Sequence, residues 1–293
     1  MNGADPLKHR LTLWLKSEQA MGLPSVPRVT FSEIPAENMS KSRQREQTPP
    51  PVRVTSPTAS APASKPAPAV SANTPLLLLD TPFDAPILPR EEKIRLLQEL
   101  DLNSVKGCVK CGLSKSRTQT VFGEGDPDAP ILFIGEGPGK DEDASGRPFV
   151  GRAGQKLNDM IGAMGMKRED VFICNIVKCR AYLTDIGKDR PPSEEETAAC
   201  TPYLVRQVEV VRPKVIVTLG LPSTRYLLKS KDSMTRMRGN WYAWRGIKVM
   251  PTWHPAYVLR NYTEQTRREV WDDLKKVLLE LGRPIPQRSG KQG

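Results

Sequence analysis

Apolar residues first recur at helical spacing near the start of the chain. There Leu7, Leu11, Trp14 and Leu15 are interleaved with Lys8, Arg10 and Lys16, which predicts a short amphipathic helix over residues 5–21. The pattern then fades. From Pro24 to Pro89 the chain is rich in Pro, Ser, Ala and Thr and holds half of its 28 prolines. Such a stretch buries too little apolar surface to offset the entropy of ordering, and it reads as a disordered, partly extended tether. Periodicity returns at Arg90. Ile94, Leu97 and Leu100 mark a helix over 91–101, and short apolar runs at 131–134, 171–177, 214–219 and 247–251 read as buried strands. Helices fall near 153–164, 193–211, 221–229 and 264–281, and Ser193 with Glu196 gives the second of these a capping-box start. Strands alternating with helices predict an α/β fold, a three-layer α/β/α sandwich around a mainly parallel sheet. The expected organisation is an N-terminal helix (1–23), a linker (24–89), a globular domain (90–282) and a flexible basic tail (283–293).

Charge and cysteine content narrow the partners. Lys and Arg outnumber Asp and Glu by 44 to 33. The excess favours an anionic partner, nucleic acid before membrane, over a merely solvated basic surface. The longest apolar run, Leu76 to Leu79, is far short of the roughly 20 residues of a membrane span. The N-terminus has no signal-like apolar segment, so a cytoplasmic protein, taken as a monomer, is expected. Five cysteines in that compartment point to metal ligands or buried thiols rather than disulfides.

Three places carry candidate chemistry. Residues 135–154, GEGPGKDEDASGRPFVGRAG, form a glycine-rich loop between a strand and a helix, where backbone comes close to ligands. No GKS or GKT follows, and the spacing is wrong for a dinucleotide fingerprint. Cys108 and Cys111 form a CxxC in a loop flanked by Lys and Gly, with Cys179 and Cys200 far along the chain. That pattern suits a four-thiolate site, and zinc and iron–sulfur fit its spacing equally. Cys174, between Ile173 and Ile176, reads as a buried core thiol. His254, in WHPAYVLR after the last strand, is the one candidate catalytic histidine, since His9 lies in the N-terminal segment. Asn175 sits in an otherwise apolar strand. Its amide must bond to neighbouring backbone or face a ligand such as a nucleobase edge.

Taken together and in this order, the glycine-rich loop, NIVKCR, the Cys200 segment SEEETAAC and HPAYVLR resemble the family 4 uracil-DNA glycosylases of bacteria and archaea, over about residues 91–281. The resemblance implies a [4Fe-4S] cluster on Cys108, Cys111, Cys179 and Cys200, structural in role, and uracil-containing DNA, single- or double-stranded, as substrate. It implies that Phe149 stacks on a flipped uracil and that Asn175 pairs with its edge and rejects cytosine. His254 would stabilise negative charge at the uracil O2. Glu136 and Gly137 would line the pocket beside the reacting sugar, and Glu142 is the acidic candidate for positioning water or stabilising a cationic sugar. Gly139 joins the substrate-binding set. Val258, Leu259 and Arg260 would enter the duplex, and Lys140, Arg147, Arg152 and Arg260 would meet phosphates. Gly137 stands where another glycosylase family places a water-activating Asp. The stretch from Arg180 to Ala199 reads as a small insertion near the cluster. The N-terminal helix is expected to recruit a repair or replication protein. The alternatives are a non-catalytic iron–sulfur DNA-binding protein on the same fold, and a zinc-dependent phosphate or nucleotide hydrolase.

Overall fold

The computed structural model describes residues 82, 83, 86–183 and 185–287. The helix expected over 5–21, most of the linker and the tail from 288 onward lie outside the described residues. The strands are β1 (Glu124–Gly125), β2 (Ile131–Gly135), β3 (Phe172–Asn175), β4 (Tyr182–Leu183), β5 (Lys188–Asp189), β6 (Val215–Leu219), β7 (Tyr242–Trp244) and β8 (Ile247–Thr252). The α-helices are α1 (Arg90–Leu100), α2 (Lys140–Ser145), α3 (Arg152–Ala163), α4 (Glu194–Val211), α5 (Leu221–Leu228), α6 (Met234–Met237), α7 (Pro255–Arg260) and α8 (Glu264–Glu280).

One six-stranded sheet runs in the order β1-β3-β2-β6-β8-β7. Its four central strands are parallel, and β1 and β7 close the two edges antiparallel. Side chains alternate between its faces, as the pleat requires. Leu132, Ile134, Cys174 and Ile216 pack under Leu97 of α1, Leu204 and Val208 of α4 and Leu227 of α5. Ile131, Phe133, Ile173, Val215 and Val217 pack on the other face, under Leu157 and Ile161 of α3, Val258 of α7 and Leu274 and Val277 of α8. The expected three-layer sandwich is therefore present. Both faces are buried, which is why the central strands read as continuous apolar runs. Cys174 lies in the core as expected.

Local signals account for several boundaries. Ser193 Oγ accepts from the Glu196 N–H at 3.2 Å, and the Glu196 carboxylate accepts from the Ser193 N–H at 2.7 Å, closing the predicted capping box of α4. The β7–β8 hairpin was not legible from periodicity. Its turn is Arg245–Gly246, both at positive φ (49° and 80°), the backbone a two-residue hairpin needs, with Arg in place of the usual Asn or Asp. Part of the stretch read as an insertion after Cys179 folds into the small β4–β5 ladder. Phe83, inside the segment read as linker, packs edge-on to Trp244, and its carbonyl accepts from Arg212 Nη1 at 2.6 Å. Among the described residues no helix is long and apolar enough to cross a membrane.

Candidate active site

The C-terminal ends of β2, β3 and β8 lie at one edge of the parallel sheet, where open α/β sheets collect ligand-binding groups. Gly135 ends β2 directly beside Asn175 at the end of β3, and β8 delivers Trp253 and His254 two strands away. Asn175 is 1% exposed, and its Oδ1 has no hydrogen-bond partner. A buried polar atom left in that state costs about 1–3 kcal/mol, so it calls for an explanation. The Phe149 ring lies 5.8 Å from the His254 ring, tilted by 35°. Gly135 makes this crowding possible: a Cβ there would overlap Asn175 Oδ1 and come within 2.5 Å of Phe149 Cζ. Phe149 itself adopts φ 50°, a strained conformation for a bulky residue. The strain is held from several directions. Gly154 in the first turn of α3 lies so close that a Cβ would overlap the Phe149 carbonyl. Arg168 Nη2 donates to the Pro148 carbonyl at 2.5 Å, and Arg168 and Arg147 both converge on the Glu124 carboxylate.

Glu142 acts inside this loop. Its carboxylate accepts from the backbone N–H of Gly139 (3.1 Å), Val150 (2.9 Å) and Gly151 (3.0 Å), tying the start of the loop to the residues just after Phe149. Three N–H donors occupy much of what one carboxylate can accept. Glu142→Ala is expected to cost about 1.5–3 kcal/mol, the range for hydrogen bonds to a charged group. Thermal unfolding would show it as a lowered midpoint, and an unchanged midpoint would contradict the staple role.

His254 caps α7, with Pro255 as the first helical residue. Its Nδ1 accepts from the Ala256 N–H at 3.1 Å, so in the neutral ring the proton sits on Nε2. Burial, helped by the nearby Arg260 charge, pushes its pKa down to about 4. Glu136 responds the other way: half-buried, its carboxyl is pushed above its ordinary value by desolvation. Helix α8 grips the strand end that carries His254. Asp273 Oδ2 accepts from Thr252 Oγ1 at 2.8 Å, and Glu269 Oε2 accepts from Trp253 Nε1 at 2.7 Å. An aromatic face, an amide oxygen without a partner, a neutral N–H donor and a half-buried carboxylate around one strand edge form a set able to bind a planar polar heterocycle.

On the other face of the sheet, Cys108, Cys111, Cys179 and Cys200 line one small pocket with Val105, Arg117 and Tyr203. Three of the sulfurs accept hydrogen bonds: Cys179 from Arg117 Nη1 (3.2 Å), Cys200 from the Lys178 N–H (3.3 Å) and Cys108 from Tyr203 Oη (3.3 Å). Burial pushes the Cys179 thiol up to about 11 and raises that of Cys200. Among the described residues no three metal-ligating side chains gather at the spacing of a single ion.

Comparison with known proteins gives this geometry a lineage. The family model described as the uracil DNA glycosylase superfamily matches residues 122–275. The chain belongs to that superfamily. Within it the similarity is to the type-4 group. A type-4 uracil-DNA glycosylase of Thermotoga maritima is 46% identical over 190 residues, covering 64% of this chain and 94% of the relative. One from Saccharolobus solfataricus is 45% identical over 192 residues (62% and 86%), and one from Archaeoglobus fulgidus 40% over 191 residues (62% and 92%).

Of the residues singled out from the sequence, the structure brings Glu136, Gly137, Phe149, Asn175 and His254 to one edge of this glycosylase fold, and the four cysteines to one pocket. Gly137 is tight against Val177, whose Cγ2 would lie 2.8 Å from a Cβ there. Gly139 gives its N–H to Glu142. Lys140, Arg152 and Arg260 are exposed. Arg147 pairs bidentately with Glu124 (2.8 and 3.0 Å) and its side chain stays exposed. One expectation changes. Val258 is buried in the core, because α7 turns it inward against α3 and α8, which leaves Leu259 and Arg260 nearer the surface. Glu124, Arg168, Glu269 and Asp273 went unnoticed in the sequence, and Gly135 was read only as the first residue of the glycine-rich loop. Asp273, a carboxylate within the buried stripe of α8, with Glu269 one turn before it, was the legible signal for a polar grip.

Proposed function

We infer that this protein is a uracil-DNA glycosylase that extrudes uracil from DNA and hydrolyses its N-glycosidic bond, leaving an abasic site for base-excision repair. The observation that carries the reading is the buried, unpartnered Asn175 Oδ1 beside the Phe149 ring. Uracil N3–H is a donor for that oxygen, and uracil O4 is an acceptor for the amide N–H. Cytosine offers an acceptor at N3 and a donor at its 4-amino group, so it meets the same amide with like against like. Stacking on Phe149 recovers about 1–3 kcal/mol of the extrusion cost.

In the reaction the C1′–N1 bond breaks and its electron pair leaves with uracil as an anion, while water adds its oxygen to C1′ and releases a proton, which reaches the departed base through solvent. His254, neutral and with its proton on Nε2, donates a hydrogen bond to the uracil O2 as that charge develops. Glu142 is occupied by backbone, so Glu136 is the better candidate to orient the water or face the cationic sugar. In this reading Cys108, Cys111, Cys179 and Cys200 would hold a [4Fe-4S] cluster. Their thiols share one pocket, and three of the sulfurs receive hydrogen bonds of the kind that stabilise bound thiolates. When bound, the cluster would cross-link the 108–111 loop, the segment just after β3 and α4.

The alternative of a non-catalytic DNA-binding protein has no use for a buried amide oxygen without a partner beside a neutral histidine. The test is to incubate the protein with an oligonucleotide carrying one uracil and identify the products by chromatography. Free uracil and an intact abasic strand are expected. DNA binding without base release would support the alternative.

The segment before Pro82 is proposed as a tether with a partner-binding helix. Removing residues 1–81, and so keeping the Phe83 contacts, is expected to leave the rate on short oligonucleotides within about twofold of the full chain, a difference below 0.5 kcal/mol. A large loss would place part of the active unit in that segment.

A further inference from the structure

Lys178 has no part in the chemistry above, yet it is 1% exposed. A buried ammonium needs partners for its N–H groups and something to balance its charge. The partners are present. Nζ donates to the Asn175 carbonyl at 2.8 Å and to Gln207 Oε1 at 2.5 Å, and the Gln207 amide donates onward to the Phe122 carbonyl at 2.8 Å. Both acceptors of Nζ are neutral and leave its charge uncancelled. The groups able to cancel it are the thiols: Lys178 lines the four-cysteine pocket, its own N–H donates to Cys200 Sγ at 3.3 Å, and it precedes Cys179 in the chain. Gln207 lies on α4 two turns beyond Cys200, so one helix carries both the thiol and the acceptor.

We propose that Lys178 is a positioning residue that couples the four-cysteine pocket to Asn175. Its charge is balanced by the anionic thiolate-ligated cluster, and its ammonium holds the backbone carbonyl of the residue that reads the base. The proposal rests on the cluster and Asn175 roles given above. A bound cluster of four thiolates carries net negative charge, and a cation against it raises the reduction potential. Without that charge, an uncompensated ammonium sits one hydrogen bond from Asn175, and the end of β3 has reason to shift. Cluster content and base recognition are thereby linked through a residue that touches neither DNA nor iron.

Lys178→Met tests this, because it keeps most of the side-chain length and removes the charge. Wild type and variant are compared per cluster, counted by iron and visible absorbance. The readouts are reduction potential, single-turnover uracil release and affinity for DNA. The expected variant has a more negative potential and about tenfold or more slower release, equivalent to 1.4 kcal/mol, with DNA affinity nearly unchanged. A wild-type release rate per cluster overturns the coupling. Slower release at an unchanged potential also overturns it, by reducing Lys178 to packing. If Lys178→Met does not accumulate as folded protein, Gln207→Leu removes one acceptor while leaving the cation beside the thiols. It should slow release in the same direction, and wild-type release would overturn the proposal. An inactive wild type would instead count against the glycosylase reading, and the potential would still report on Lys178.

Discussion

Replacing His254 with Ala is expected to slow uracil release by about 10²–10³-fold, the size of effect seen when one preorganised donor to a developing oxyanion is removed. The loss should fall on the chemical step and leave DNA affinity nearly intact, since His254 lies beside Phe149 at the strand edge rather than among the exposed basic residues. The ring is committed to this role by its surroundings. The Ala256 N–H occupies Nδ1, and burial with the Arg260 charge lowers the pKa to about 4. The imidazole is therefore neutral throughout the range in which the enzyme is assayed, and between pH 5 and 8 no step in rate should belong to it. Glu136 has the opposite sign. Burial raises its pKa, so a reaction that needs its carboxylate falls off on acidification sooner than an exposed glutamate would cause. Single-turnover rates of both proteins across that range check the two points together. A loss under tenfold in His254→Ala, or a wild-type inflection near pH 6.5 that the variant lacks, would contradict the neutral-donor account.

Replacing Asn175 with Ala is expected to lower uracil release by roughly 10- to 100-fold, the 1–3 kcal/mol that a good bidentate pair with a base supplies. The fold should not weaken with it. Most core polar deletions destabilise because they strand a partner, but Asn175 Oδ1 has none. Its removal relieves a desolvation cost of about 1–3 kcal/mol, and a melting midpoint equal to or above wild type is expected. Activity and stability moving in opposite directions mark a residue kept for binding rather than for packing. A midpoint several degrees lower would mean that the amide serves the fold.

Much of this was legible in the sequence because it is carried by local signals. The central strands announced themselves as apolar runs since both faces are covered. The capping box of α4 was readable from Ser193 and Glu196 alone. The cysteine set and the chemistry-bearing residues stood out because each breaks its local pattern: an Asn in an apolar strand, a His–Pro after one, a CxxC in a loop. What stayed hidden depends on contacts distant in sequence. Nothing in the loop sequence shows that Glu142 folds back onto the N–H groups of Val150 and Gly151, so an acidic residue in a glycine-rich loop read as a candidate for the chemistry. Arg147 lay too far from Glu124 in sequence to reveal their pairing. Val258 looked available until α7 set its helical phase. The β7–β8 hairpin escaped because Arg245 adopts a positive φ that Arg seldom does, and the tertiary pairing of β8 overrides that preference.

The central claim is that one pocket reads uracil by its edge and breaks its bond to the sugar. The most direct measurement is the single-turnover rate of base release from three otherwise identical single-stranded oligonucleotides carrying uracil, cytosine or thymine at one position. The account predicts rapid release of uracil and release of cytosine slower by at least two orders of magnitude, since cytosine meets the Asn175 amide with like groups at both positions. Comparable release of uracil and cytosine, or none from any of the three, would contradict it.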